Sequence, residues 1–251
     1  MSGSRIVQKL DSGQVPQSVM LPLMKSYGQF CPIAKAGEIL TERWTLLVLR
    51  DLLYGSRRFN DLRRGVPMMS PTLLSTRLRT LEEAGLIVRK ASDGRGHWEY
   101  HLTQAGEELR PIVDAIGHWG QTWARSKLTP DEIDPGRLMW TMHRHFILTN
   151  VPQDRLVLYI EITDAKRLPT WWFILTHDSV DICWDDPGGD VDVSLYADLL
   201  TLTQIYIGDL SLSRARKLGK IEVLGSKNIV GGISTWFPRS KFADDKPQPM
   251  T

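Results

Sequence analysis

Between residues 44 and 102 the chain alternates leucine stripes with glycine stops, at intervals that admit only short helices around one core followed by a hairpin. In TLLVLRDLL, Leu46, Leu49 and Leu53 share a helical stripe with Leu47, Val48 and Leu52 beside it, as a helix buried on most sides requires. Gly55 ends that helix. Arg57, Arg58 and Phe59 leave room for a short strand before a helix over residues 60–64, which Gly65 stops. After a turn over residues 66–69, Ser70 caps a helix that starts at Pro71, where a fixed φ is favoured and the missing N–H has no partner to lose. Leu74, Leu78 and Leu81 face the core, so Thr72, Ser75, Thr76 and Arg79 occupy the opposite side. Residues 86–89 and 98–102 read as strands joined by the glycine-rich turn ASDGRG, with Arg95 at its tip.

Helix, turn, capped helix and hairpin in this order describe a winged helix-turn-helix, whose second helix enters the DNA major groove. Short hydroxyls allow close approach to base edges, and arginine reaches guanine or phosphate with paired donors. Six arginines (57, 58, 63, 64, 77 and 79) face a single Asp61 between residues 57 and 79, although the whole chain carries only +2. Residues 1–125 hold 17 Lys and Arg against 12 Asp and Glu, whereas residues 126–251 hold 14 against 17, so the basic charge lies in the half that would meet phosphates. A basic helical face can also be merely solvated; the ordered helix, helix and wing signals favour the DNA reading. The candidate DNA contacts are Arg57, Arg58, Arg64, Ser70, Thr72, Ser75, Thr76, Arg77, Arg79 and Arg95. Arg77 lies at the margin of the leucine stripe, so it pairs either with an acidic neighbour or with a phosphate.

CP near the start, RWTLLVLRDLLYGSRRFNDLRR, SPTLLSTRLRTLEEAGLI and HLTQAGEEL follow one another in this chain. In these motifs it resembles the HxlR class of bacterial winged-helix regulators over roughly its first half. The resemblance implies a dimeric repressor or activator, with the helix near residues 33–40 and the helix after the wing forming the dimer interface. It also implies that Cys31, before Pro32, is a candidate redox-active thiol; the plain alternative is a small buried residue. After the wing, Leu109, Ile112, Val113, Ile116, Trp119 and Trp123 keep helical spacing in a long segment that Pro111 either kinks or restarts. That stripe is covered by a second subunit, by the C-terminal domain, or by both.

A length of 251 residues exceeds the usual size of one domain, and a winged helix takes about 100. The expected division is a mobile segment over 1–20, a winged-helix and dimerisation domain over 21–126, a linker over 127–136, a ligand-binding domain over 137–242 and a mobile tail over 243–251. In the second domain a helix is expected from Arg137 to Phe146. Strands follow over residues 155–163, 171–176, 180–184 and 191–194, as an antiparallel meander. Ser194 is read as the cap of a helix carrying Leu195, Leu199, Leu202 and Ile205; a helix over 212–218, a strand over 220–224 and a last helix over 226–236 complete the order. In SLYADLLTLTQIYIGDLSLSRARKLGKIEVLGSKNIVGGI the chain is similar to sterol carrier protein type two-like domains, which implies a sheet and covering helices around an apolar tunnel. The fold class expected is therefore α+β, a winged helix-turn-helix with a long dimerisation helix joined to a helix-covered antiparallel sheet. Five of nine tryptophans fall in this half. Trp140, Trp171, Trp172, Trp184, Tyr206 and Trp236 are candidates for an effector site, or else they fill the core.

Reactive chemistry is weak. Two cysteines do not make a disulfide framework, and no apolar run of membrane-spanning length or signal-peptide segment stands out, which points to the cytoplasm. Cys183 with His177 and Asp178 lacks a nucleophile turn, and His143 and His145, two apart on a helix, point to different faces and make a poor metal pair. No catalytic set, metal site or cofactor is expected. The reading is a dimeric, DNA-binding transcriptional regulator with an apolar or aromatic small-molecule effector, binding no membrane. The alternatives are a redox or electrophile sensor acting through Cys31, and a lipid carrier or enzyme using the C-terminal pocket.

Overall fold

The computed structural model describes residues 26–92, 97–125, 128–129 and 132–249. The expected mobile segment over 1–20 and Arg95 lie outside the described residues. In the first half, α1 (Pro32–Leu40), α2 (Thr45–Leu53), α3 (Phe59–Gly65) and α4 (Pro71–Glu83) pack around one core and lead into the antiparallel hairpin β1 (Ile87–Ala91) and β2 (Trp98–Leu102). Leu49, Leu52, Leu62, Leu74, Leu78 and Leu81 are fully buried there, as the stripes require. Ser70 caps α4 by accepting from the Leu73 N–H at 3.3 Å, with Pro71 in the first turn. The expected strand at 57–59 is reduced to a single bridge between Arg58 and Glu99 on β2.

The long helix after the wing is interrupted. α5 (Gln104–Glu107) ends before Pro111, α6 (Arg110–Trp119) restarts there, and Gly120–Ala124 continues as a π turn. Proline lacks the N–H that would continue the ladder, so it serves here as an N-terminal residue rather than as a kink. Val113 is the buried residue of α6, while Ile112, Ile116, Trp119 and Trp123 leave much of their surface exposed.

In the second half, α7 (Pro135–Met142) precedes a five-stranded sheet of β3 (Arg155–Ile162), β4 (Thr170–Thr176), β5 (Val180–Cys183), β6 (Val193–Ala197) and β7 (Ile221–Gly225). The order across the sheet is β5-β4-β3-β6-β7. β3 and β6 run parallel, so the sheet is mixed and not the antiparallel meander expected. The reason is the chain from Trp184 to Asp192, which crosses over instead of making a hairpin and thereby seats β6 beside the central strand. α8 (Leu199–Ile207), α9 (Leu212–Lys217) and α10 (Lys227–Gly232) follow β6 and β7, and with α7 cover one face of the sheet.

Leu195 belongs to β6, not to the helix expected there. Asp198, not Ser194, caps α8, accepting from the Thr201 N–H at 2.7 Å. A short apolar run fits either period, and pairing with β3 and β7 settles it as strand. α7 also ends four residues early, where the His143 and His145 rings bond back to the carbonyls of Trp140 and Thr141. The expected mobile tail is instead laid against α6 as far as it is described. Ala243 is buried, Lys241 pairs with Asp114, His118 contacts Asp245, and the Gln248 N–H donates to Thr122 O at 2.7 Å. Gly117 makes room for this strap, because a Cβ there would overlap the Phe242 ring.

Candidate nucleic-acid interface and interdomain pocket

Thr72, Ser75 and Arg79 stand exposed on one side of α4, with Ser70 at its start and Thr76 half-buried, its hydroxyl donating to Thr72 O. A row of short hydroxyls ended by a guanidinium leaves the helix free to lie close to a base edge, while the leucines opposite hold it against the core. Arg79 keeps only a loose 3.8 Å pair with Glu83 and is largely exposed. Arg58 is likewise exposed, at 3.4 Å from Glu99 on the wing. Arg89 lies over the Trp98 ring at 4.5 Å, so the strands of the wing add a cation and an aromatic that sequence reasoning did not single out.

Three arginines from the basic cluster are committed elsewhere. Arg77 is buried and pairs with Glu42 at 3.3 Å, so the side chain at the margin of the stripe is an internal strut and its assignment to DNA is corrected. Arg57 donates to Leu52 O at 2.8 Å, holding the C-terminal carbonyls of α2. Arg64 turns toward the second domain. It pairs with Asp61 at 3.2 Å and lies 5.0 Å from the centre of the Trp140 ring.

Arg64 and Pro67 form one wall of a cavity of about 480 Å³, whose other walls come from α7 and from the β4–β5 edge of the sheet. Trp140, Trp171, Trp184, Leu168 and Ile182 make it mainly apolar, and Arg137 and Asp134 are among the residues that line it. The volume falls within the range that holds drug-sized ligands, roughly 300–1,000 Å³. Leu168 adopts a left-handed backbone (φ 51), a conformation unfavourable for a non-glycine residue by about 1–2 kcal/mol. In that position its carbonyl accepts from the Trp171 indole N–H at 2.8 Å and fixes the ring at the cavity wall.

Three of the six expected effector residues thus converge, and three do not. Trp172 is on the opposite sheet face, since successive strand residues alternate, and packs at 5.0 Å on Tyr159. Trp236 is fully buried and stacks with Phe146 in the core, which fills the space beneath the sheet where a tunnel was expected. Tyr206 is buried at the domain boundary, 3.2 Å from His145, which itself meets Tyr54, the residue after α2, edge-on at 5.3 Å. Burial raises the Tyr206 phenol above its ordinary range.

The residue that sequence reasoning missed altogether is Arg144. It reaches into the first domain and donates from Nη2 to Asp51 Oδ1 and from Nη1 to Ser56 Oγ, both at 3.2 Å. Asp51 is fully buried on α2 and also accepts two bonds from Arg50. Gly65, the last residue of α3, lacks a side chain because the Asp51 carboxylate fills that volume. Arg144 also lies 5.7 Å from the Trp140 ring, so Trp140 has a guanidinium from each domain nearby. His143, whose ring lies 4.3 Å from Trp140, is pushed down to about 4, mainly by burial and further by the positive charges of Arg144 and Arg64. Cys31 sits at the N-terminal edge of α1, half-buried and with a free thiol.

Among the described residues no group of three or more His, Cys, Asp or Glu is placed to hold a metal, and no helix is long and apolar enough to cross a membrane. Known proteins match the first half. An uncharacterized HTH-type transcriptional regulator of Mycobacterium tuberculosis, Rv3095, is 43% identical over 93 residues, which are 36% of this chain and 58% of that protein. The chain therefore spans little more than half the length of the mycobacterial relatives it matches. The uncharacterized HTH-type transcriptional regulator YvaP of Bacillus subtilis is 37% identical over 97 residues, 38% of this chain and 90% of that protein. Among solved structures, the redox regulator HypR in its reduced form is matched at 30% identity over 36% of this chain and 90% of that one, with a TM-score of 0.34. The HxlR-like helix-turn-helix family matches residues 39–128, and through this region the chain belongs to that family.

Proposed function

We propose that this protein is a dimeric, DNA-binding transcriptional regulator whose C-terminal domain senses an apolar or aromatic small molecule. The observation that carries the sensing half is the shared cavity, in which α3 of the helix-turn-helix supplies Arg64 while the second domain supplies three tryptophans. A ligand there touches both domains at once. It shifts DNA binding only through a difference in affinity between two arrangements of those domains, and a tenfold change needs about 1.4 kcal/mol. The helix, three strands, crossover strand, two helices, strand and helix of the second domain support the sterol-carrier-like reading, with the ligand moved from beneath the sheet to the domain boundary.

The exposed stripe of Ile112, Ile116, Trp119 and Trp123 supports dimerisation through α6. A two-fold dimer would hold two α4 helices about 34 Å apart and select a near-palindromic site. Selection from random DNA by the full chain, followed by footprinting, tests this: two related half-sites about one helical turn apart are expected, and failure to enrich any sequence refutes it. The second reading, a redox response through Cys31, rests on the half-buried free thiol at the start of α1. Operator affinity that responds to diamide in the parent chain but not in Cys31→Ser would favour it.

A further inference from the structure

The walls of the interdomain cavity are not electrically neutral. Its rings come from Trp140, Trp171 and Trp184, and its lining also holds two guanidiniums, Arg64 and Arg137, and one carboxylate, Asp134, while Asp61 pairs with Arg64 at 3.2 Å from outside the lining. Asp134 is already engaged, since its Oδ1 caps α7 by accepting from the Arg137 N–H at 2.7 Å. We propose that the cavity takes a flat aromatic carboxylate or a similar monoanion, the rings held among the tryptophans and the anion between Arg64 and Arg137. This rests on the effector-site reading above and names the class of ligand.

Three features favour that class. Indole walls in a mainly apolar cavity suit a planar, rigid ligand, whose ordering on binding is cheap. Arginine presents a planar fork of donors that matches a carboxylate in two bonds, and such charge-assisted bonds strengthen where water is excluded. Beside Arg64, 5.0 Å from the Trp140 ring, a further guanidinium, Arg144, lies 5.7 Å from the same ring, so cations from both domains flank that wall. Arg64 is also the last-turn residue of α3, which gives the ligand anion a direct hold on the helix-turn-helix. Against an anion stand Asp134, the Asp61 carboxylate paired with Arg64, the Glu132 carbonyl to which Arg137 Nη2 donates, and the acidic loop that follows Trp184, where Asp185, Asp186 and Asp190 lie in the exposed crossover. Those acids would favour a cation if they governed the cavity.

Three probes of one ring system separate the possibilities: 2-naphthoate, 2-naphthalenemethanol and 2-naphthylmethylammonium, titrated into the full-length protein and followed by tryptophan fluorescence and calorimetry. Naphthoate is expected to bind about tenfold or more tighter than the alcohol, with the ammonium weakest. In Arg137→Gln and in Arg64→Gln the ratio of naphthoate to alcohol affinity should collapse toward one, and in the parent chain the ratio should shrink as salt is raised. An alcohol or ammonium that binds as tightly as naphthoate overturns the anion assignment while leaving an effector cavity in place. No binding of any of the three overturns the cavity as an aromatic effector site, and the anion assignment with it.

Discussion

Replacing Arg144 by methionine keeps an apolar stem of similar length and deletes the guanidinium that ties the second domain to Asp51 and Ser56. Unit charges about 4 Å apart attract by about 4 kcal/mol at an effective dielectric near 20. Withdrawing both groups from water offsets much of that, and breaking a buried pair is costly chiefly through the charge it strands, roughly 3–5 kcal/mol when no partner remains. Asp51 retains its two bonds from Arg50, so it is not stranded. The expected loss is therefore smaller, about 2 kcal/mol, below the range for a fully stranded charge. A double-mutant cycle with Asp51→Asn, read by urea unfolding with tryptophan fluorescence, isolates the pair. Because two-domain chains can unfold in stages, the cycle is evaluated on the transition in which the domains separate. A coupling energy on the order of 2 kcal/mol is expected, and single-mutant effects that add to within about 0.5 kcal/mol refute the bond as a link between domains.

Arg79→Ala and Arg77→Ala should part company. The first weakens DNA binding at unchanged stability, relaxing one base position by about 1–3 kcal/mol if it reads a base, whereas the second lowers the melting temperature by emptying the buried space that the Arg77 side chain fills beside the leucine core. Gel shifts beside thermal melts distinguish them, and equal DNA losses at equal stability would contradict the assignment. His143 is held down to about 4 from 6.5, so the unfolded chain binds the proton first. Stability should be intact above pH 6.5 and erode as pH falls toward 4, by roughly 3 kcal/mol at the lower end, and His143→Gln should flatten that slope in urea titrations at stepped pH. Gly117→Ala drives a methyl into the Phe242 ring and should destabilise by about 1–3 kcal/mol through overpacking, with faster proteolysis of the C-terminal strap as its signature. Ile116→Asp places a charge in the exposed α6 stripe, and sedimentation should then report monomers if that stripe is the dimer face.

The helix-turn-helix was legible residue by residue because its signals are local. Pro71 and Ser70 define the start of α4 by backbone chemistry alone, and three leucines at helical spacing decide which side carries Thr72, Ser75 and Arg79. Where the signal was local but ambiguous, partners decided. Leu195 fits a helical stripe and a strand equally, and only the ladders to β3 and β7 made it strand.

Tertiary structure alone decided the roles of the long side chains. Arg64, Arg77 and Arg79 are alike in composition and neighbourhood, yet one faces a cavity, one is an internal strut and one is exposed, because the helix phase and the arrival of Glu42 and Trp140 from distant segments set their partners. The tryptophans divide for the same reason: Trp171 and Trp172 are consecutive, and strand alternation alone sends one to the cavity and the other to the far face of the sheet. Arg144 carries no sequence signal at all, since its meaning depends on a carboxylate 93 residues away that folding brings to 3.2 Å. Periodicity and capping record what a residue does within its own element; a pocket shared by two domains is a property of their docking, which no local pattern encodes.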